Sequence, residues 1–348
     1  MKVAIVSGAR SLQPTGIGLA ERGLLGALRV NSGPIEVNVR VVGGRAGRRY
    51  AQSIGARWYP VWPGHVPRRA WRSADLIHLL GLDVPPPPRQ PFVVNIYDVA
   101  AWRFPDEAKV PAWTQEIVRR ADRVITSTHC GVRELQQTLG VSAEKIRVIA
   151  LGPGQTAPRS VETLSDAELA AMNLRRPFVL RIGGYTQRKN VPVLLEAWPE
   201  VHRQTGALLA LMGPPHPARE AQLAAAAFPD GVVALSYLPP VLAARLLRTA
   251  SALVSPSIYE GFGLPPLEAM GAGVPVVAVR SASVEEVCGD AAVLVANDPQ
   301  ALAAGLVWVL RDDALRGRLV DAGLRRAAGF TWEEAAASVV SVYRELLS

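Results

Sequence analysis

The sequence predicts a doubly wound α/β architecture divided into two halves. Short β-branched and apolar runs recur along the chain, and stretches of helical character separate them. A segment rich in Gly, Pro, Ser and Thr at 152–165 interrupts the series near its middle. Strands alternating with helices argue a parallel sheet covered on both faces. At 348 residues the chain is long for one domain and comfortable for two.

The elements follow in order. Residues 2–6 (Lys-Val-Ala-Ile-Val) read as a first strand, 18–29 as a helix and 37–42 as a strand. Shorter strands are expected at 76–79, 92–96, 123–126 and 146–149. Leu151-Gly152-Pro153-Gly154 ends the last of these, and the following composition is that of a linker or long loop. The second series has strands at 178–182, 208–212, 232–235, 252–255 and 275–279. Helices are expected at 191–204, 217–227, 242–249 and 265–270. A final helix over 331–347 opens on Thr331 with Glu334 three residues on, a capping-box spacing. Pro85 to Pro88 form an extended loop poor in hydrogen bonds. No internal repeat is visible.

Hydrophobic residues make up 49% and charged residues 20%, an ordinary globular composition that argues against disorder. Apolar runs such as 250–254 and 274–279 are too short to cross a bilayer. The apolar run at the N-terminus is also too short for a signal-peptide core, so the expected location is the cytoplasm. Two cysteines, Cys130 and Cys288, imply neither a disulfide framework nor a zinc site. The five histidines show no metal-ligand spacing.

The net charge of +8 is unevenly spread. Residues 1–165 hold 22 Lys and Arg against 12 Asp and Glu, whereas 166–348 hold 16 against 18. Much of the surplus lies in Arg45, Arg48, Arg49, Arg57, Arg68, Arg69 and Arg72, interleaved with Tyr50, Trp58, Tyr59, Trp62 and Trp71. Such a stretch suits an anionic lipid headgroup or a phosphorylated substrate; the other reading is a solvated basic surface over ordinary core aromatics. No nucleic-acid-binding motif is present.

In doubly wound folds ligands bind beyond the carboxyl ends of the strands, so the strand-to-helix turns carry the chemistry. The most informative turn runs from Ser255 through Glu260, Gly261, Phe262, Gly263, Leu264, Pro265 and Pro266 to Glu268. Its glycines permit a tight turn, a proline suits the first helical position, and the amides of Phe262, Gly263 and Leu264 would form an anion site at a helix start. Glu260 and Glu268 are acceptors suited to sugar and ribose hydroxyls. A plain capped helix with dipole-favouring acids is the alternative. A second turn holds Gly183, Gly184, Arg188, Lys189 and Asn190. Its two adjacent cations would neutralise a diphosphate leaving group, or else they are simply exposed bases. A third turn, after the first strand, carries Gly16 and Gly18. It lacks the rest of a dinucleotide fingerprint, because residue 21 is Glu, and this argues against a nicotinamide oxidoreductase.

These residues carry a resemblance. Glu260 to Glu268 is similar to the E-x7-E signature of family 4 glycosyltransferases, and 183–190 resembles their G-T-x-x-P-R-K-N turn. Asp75-Leu76-Ile77-His78, the segment Ala121-Asp122-Arg123-Val124-Ile125-Thr126-Ser127, and 284–292 (Val-Glu-Glu-Val-Cys-Gly-Asp-Ala-Ala) match family patterns in the same order.

The resemblance implies a GT-B fold, in which two Rossmann-like domains face each other across a cleft. The implied division is an acceptor-binding domain over 1–157, a nucleotide-sugar-binding domain over 166–330, and a helix over 331–348 that crosses back to the first. It implies a retaining hexosyltransferase of polysaccharide or glycolipid biosynthesis that uses a nucleotide-diphosphate sugar, with GDP-mannose the leading donor. Catalytic roles fall by match to Arg188, Lys189 and Glu260. Donor binding falls to Gly16, Gly18, Tyr97, Gly183, Gly184, Phe262, Gly263, Leu264 and Glu268, with the base near 213–215 and 236–238. No D-x-D triplet occurs, so neither a metal nor another cofactor is expected. The expected partners are the donor and an anionic or lipid-linked acceptor, with peripheral contact to an anionic membrane through the basic N-terminal half and no nucleic acid. Tyr97 stands where the family often has a histidine that touches the donor sugar. His78 reads either as a core residue or as a neighbour of the acceptor. A catalytically degenerate partner subunit, a nucleotide-sugar epimerase and a glycosyl phosphorylase are the rival readings.

Overall fold

The computed structural model describes residues 1–8, 16–61, 66–154, 161–214, 217, 220–221 and 230–347. The chain divides into two compact units: Met1–Gly152 with Phe330–Ser348, and Pro153–Gly329. The expected helix over 217–227, the turn over 11–15, Trp62, Pro215 and the expected boundary at 157 lie wholly or largely outside the described residues.

The first unit is built on seven strands: β1 (Lys2–Ser7), β2 (Glu36–Val42), β3 (Arg57–Tyr59), β4 (Leu76–Leu79), β5 (Phe92–Asn95), β6 (Arg123–Thr126) and β7 (Ile146–Val148). All pair in parallel, in the order β3-β2-β1-β4-β5-β6-β7. Apolar residues on both faces of β1, β4 and β5 are fully buried, as a sheet covered on both sides requires. The helix Gly16–Asn31 buries Leu24, Leu25 and Leu28 on this sheet, and the helix Trp332–Leu347 joins the same core through Ala336, Val339, Val340 and Tyr343. Close approach there needs glycine: a Cβ at Gly23 would lie 2.1 Å, and one at Gly152 2.7 Å, from the Trp332 indole. Thr331 Oγ1 accepts from the Glu334 amide at 3.1 Å, satisfying a first-turn donor of that helix.

The basic stretch resolves into elements that its polar sequence had hidden. Arg45–Ser53 is a helix burying Gly47, Tyr50 and Ala51, and Arg57–Tyr59 is the edge strand β3. Tyr50, Tyr59 and Trp71 are buried while Arg57, Arg69 and Arg72 are exposed.

The second unit has β8 (Phe178–Ile182), β9 (Leu208–Met212), β10 (Val232–Leu235), β11 (Ala252–Ser255), β12 (Val276–Val279) and β13 (Ala292–Val295). They too are all parallel, in the order β10-β9-β8-β11-β12-β13. The helices Val191–Thr205 and Pro299–Arg311 cover one face with a core of Leu194, Trp198, Val201, Leu302, Leu306 and Val309. In each unit the order of connection reverses once, between β1 and β4 and between β8 and β11. Such switch points open a crevice at the carboxyl ends of the two strands.

Candidate functional site

In the second unit both motif turns leave from the switch point. Gly183–Asn190 follows β8, and 256–263 follows its neighbour β11. Hydrogen bonds join the turns: the Ile258 amide donates to the Arg188 carbonyl at 3.0 Å, and Asn190 Nδ2 donates to the Pro256 carbonyl at 3.0 Å. Asn190 adopts a left-handed conformation, φ +50°, which its short polar side chain tolerates, and it also reaches Asn297 Oδ1 at 2.7 Å.

The first turn is shaped from beneath. Arg181, a charge in an otherwise apolar strand, is buried, and its guanidinium donates to the carbonyls of Gly183 and Gly184. Gly183 has φ +136°, and a Cβ on Gly213 would fall 2.1 Å from the Gly183 oxygen, so the end of β9 comes close enough to demand glycine. Arg188 and Lys189 stand on a short 3-10 turn, Gln187–Lys189.

Glu260 joins the two turns electrostatically. Lys189 Nζ donates to Oε1 at 2.6 Å and Arg188 Nη1 to Oε2 at 3.1 Å. The Glu260 carbonyl accepts from Ser283 Oγ at 2.6 Å, so the helix Ala282–Cys288 also holds the loop. Burial opposes the charge on Glu260, but Lys189 and Arg188 outweigh it and hold the carboxyl below its usual range. Burial pushes the Lys189 ammonium down, while Glu260 pulls the other way and Arg188 and Arg181 add to the depression. Arg188 and Lys189 thus share one carboxylate, and Arg181 adds a third positive charge that acts on Lys189.

The loop runs on through Phe262 and Gly263, φ +105°, into the helix Leu264–Gly271. The helix begins at Leu264, so Pro265 and Pro266 occupy its second and third positions rather than its first. Neither proline has an amide, which leaves Leu264 as the amide donor of the first three helical residues. Glu268 is buried on this helix. Seven of the predicted site residues besides Arg188 and Glu260 therefore lie on these two turns and their helix: Gly183, Gly184, Lys189, Phe262, Gly263, Leu264 and Glu268. The residues that sequence reasoning missed are Arg181 and Ser283, while Gly213, expected only near the base, also shapes the first turn. Only Arg181 carried a signal, as a charge inside a buried strand.

Gly16, Gly18 and Tyr97 belong to the first unit. Gly16 and Gly18 are in the first turn of the helix Gly16–Asn31, not in the loop before it. Glu21, which breaks the dinucleotide pattern, is fully buried and accepts from Ser7 Oγ at 3.1 Å and Tyr50 Oη at 3.0 Å. Tyr97 follows β5 and is half-buried; Asn95 Nδ2 donates to its oxygen at 2.8 Å. His78 is a core residue, fully buried, with Nε2 2.9 Å from Asn95 Oδ1 and Nδ1 2.6 Å from Tyr343 Oη. Burial pushes its pKa down to about 4, with the Asn95 bond opposing, so the ring is neutral near pH 7. Asn95 Oδ1 only accepts, so Nε2 carries the proton and Tyr343 donates to Nδ1.

Residues 176–312 match the family model of group 1 glycosyl transferases. The O-antigen chain mannosyltransferase B of Escherichia coli is 35% identical over 175 residues, 49% of this chain and 46% of that protein. A D-inositol 3-phosphate glycosyltransferase of Acidothermus cellulolyticus is 30% identical over 255 residues, 67% of this chain and 55% of that one. The chain thus spans about half the length of these curated relatives. Sucrose-phosphate synthase from Thermosynechococcus elongatus superposes with a TM-score of 0.76 at 20% identity, covering 99% of each chain. Anabaena Alr3699/HepE, solved with UDP and glucose, gives 0.78 at 16% identity, covering 98% of this chain and 99% of that one. Residues 176–312 are a group 1 glycosyl transferase domain, and the chain has the fold of the GT-B glycosyltransferases.

Proposed function

We propose that the protein transfers a hexose, with retention, from a nucleotide-diphosphate sugar to a glycan, lipid-linked or phosphorylated acceptor. The carrying observation is the cluster at the β8–β11 switch point, where Arg188 and Lys189 hold Glu260 and Arg181 adds a third positive charge that acts on Lys189. A buried excess of positive charge is suited to the charge that develops on a departing diphosphate. In this reading Arg188 and Lys189 receive the diphosphate without a metal or other cofactor. Glu260 holds the two cations in place and, with the Phe262–Leu264 backbone, the donor sugar; Glu268 takes the ribose hydroxyls. Gly16, Gly18 and Tyr97 are the further donor-binding residues of this reading. The anomeric C–O bond to the diphosphate breaks, the leaving oxygen takes the proton of the acceptor hydroxyl, and that hydroxyl oxygen bonds to the anomeric carbon on the same face. GDP-mannose is the favoured donor because one of the relatives is named a mannosyltransferase. The basic first unit supports an anionic acceptor and peripheral contact with an anionic membrane from the cytoplasmic side. Among the described residues no helix is long and apolar enough to cross a membrane.

A thermal-shift screen against GDP, UDP, ADP and dTDP, without added metal, tests the donor site. A ligand that binds only the folded state raises the melting temperature by mass action. Stabilisation by one nucleotide, lost in Lys189→Ala, is the expected result. No response to any of them would overturn the donor site and favour a degenerate partner subunit.

A further inference from the structure

The edge of the first sheet carries a second concentration of positive charge, away from its switch point. Arg40 on β2 and Arg57 on β3 are register partners in adjacent parallel strands, so their side chains stand side by side on one face. Like charges placed this way repel. Arg40 is only 7% exposed, and burial followed by the neighbouring Arg57 depresses its pKa, with Tyr59 opposing. A buried cation next to another cation is costly unless something of opposite charge completes the site.

The surroundings are arranged as a cavity. Arg40 Nη1 donates to the Ala70 carbonyl at 2.8 Å, which ties down the 3-10 turn Arg68–Ala70. That turn brings Arg69 and Arg72 over the strands. The resulting cavity, about 610 Å³, is lined by these four arginines with Trp58, Tyr59, Pro60 and Ser73, and among the described residues by no carboxylate. Trp58 is fixed on its far side by a hydrogen bond from Nε1 to the Gly43 carbonyl at 2.9 Å. Ser73 closes the rim in a left-handed conformation, φ +60°, unusual for a residue other than glycine. Guanidinium groups match phosphate oxygens with paired donors, and the aromatic wall suits the organic part of an ester. The volume exceeds that of bare phosphate and falls within the range of small-molecule sites.

We propose that this pocket binds the phosphate group of a phosphorylated ligand. It gives a location to the anionic partner of the reading above, and because its residues belong to the first unit and the donor-site residues to the second, the two can be tested separately. The test is calorimetric titration of the full chain with inorganic phosphate and with glycerol 3-phosphate at fixed ionic strength. Wild type, Arg57→Gln/Arg72→Gln and Lys189→Ala are compared. Arg57 and Arg72 are exposed, so the double variant should keep the wild-type melting temperature. Loss of even one charge-assisted hydrogen bond weakens binding about tenfold or more. The expected result is that loss in the double variant, retention in Lys189→Ala, and nucleotide stabilisation of the double variant equal to wild type. Arg40→Lys, which keeps the charge but not the fork, should also weaken binding.

Sedimentation with phosphatidylcholine vesicles, with and without phosphatidylglycerol, separates the two sources of phosphate. Recruitment by the anionic vesicles that the double variant loses identifies a lipid headgroup. Binding of glycerol 3-phosphate without recruitment identifies a soluble ester. Unchanged binding in the double variant, loss through Lys189→Ala alone, or no saturable binding of phosphate, ester or vesicle would overturn the proposal.

Discussion

Lys189 contributes its charge where water is scarce, with Glu260 2.6 Å away and two guanidinium groups close by. Lys189→Ala should leave the fold intact, since the side chain sits on a turn rather than in an apolar core. It should lower transfer by about 10²–10³-fold, the cost of removing one preorganised donor from a transition state. Circular dichroism and a transfer assay check the two halves of that expectation. His78 makes a pH prediction. Its folded pKa, about 4, lies below the ordinary value of 6.5, so the unfolded chain binds its proton first as pH falls. Stability from this residue is complete above pH 6.5 and drains away as pH falls to about 4, by about 3 kcal/mol. His78→Gln should flatten the melting temperature over that window; an unchanged slope would place the effect elsewhere. Arg188, Lys189 and Glu260 were legible as residue types at turns. Their pairing was not, because it depends on which strands lie side by side.

At the scale of elements, the turn after β8 depends on a contact made from β9. Gly213→Ala would drive a Cβ to 2.1 Å from the Gly183 oxygen, displacing the carbonyl that Arg181 holds. We expect the variant to fold and to lose most of its nucleotide-induced thermal shift. Gly23→Ala acts in the other unit, against the Trp332 indole, and should cost about 1–3 kcal/mol by overpacking, read as a lower denaturation midpoint. Strands such as β4, β6, β8 and β9 were legible to the residue, because runs buried on both faces are mainly apolar even where a polar residue such as His78 or Arg181 interrupts them. The helix Arg45–Ser53 was not, since it buries only Gly47, Tyr50 and Ala51 beneath a surface of arginines. The contact of Gly213 with Gly183 was equally invisible, since β9 reaches that turn only through the order of the sheet.

For the whole molecule, transfer should persist in EDTA, with two cations doing the work of a metal; loss of turnover on chelation would refute that part of the proposal. The charge asymmetry follows the units: the basic stretch belongs to the first, and the motif turns to the second. The first unit is also discontinuous, since Phe330–Ser348 belongs with Met1–Gly152. This has a consequence for synthesis. While the ribosome extends the chain, the apolar face formed by Val3, Ile5, Leu24, Leu25 and Leu28 stays incomplete until the helix Trp332–Leu347 emerges. The intervening unit, Pro153–Gly329, is continuous and exposes all its segments earlier. Domains commonly fold as they emerge, the N-terminal one first. Here the order is inverted: the portion made first is the last to close, and in the interval its exposed leucines are a natural target for chaperones.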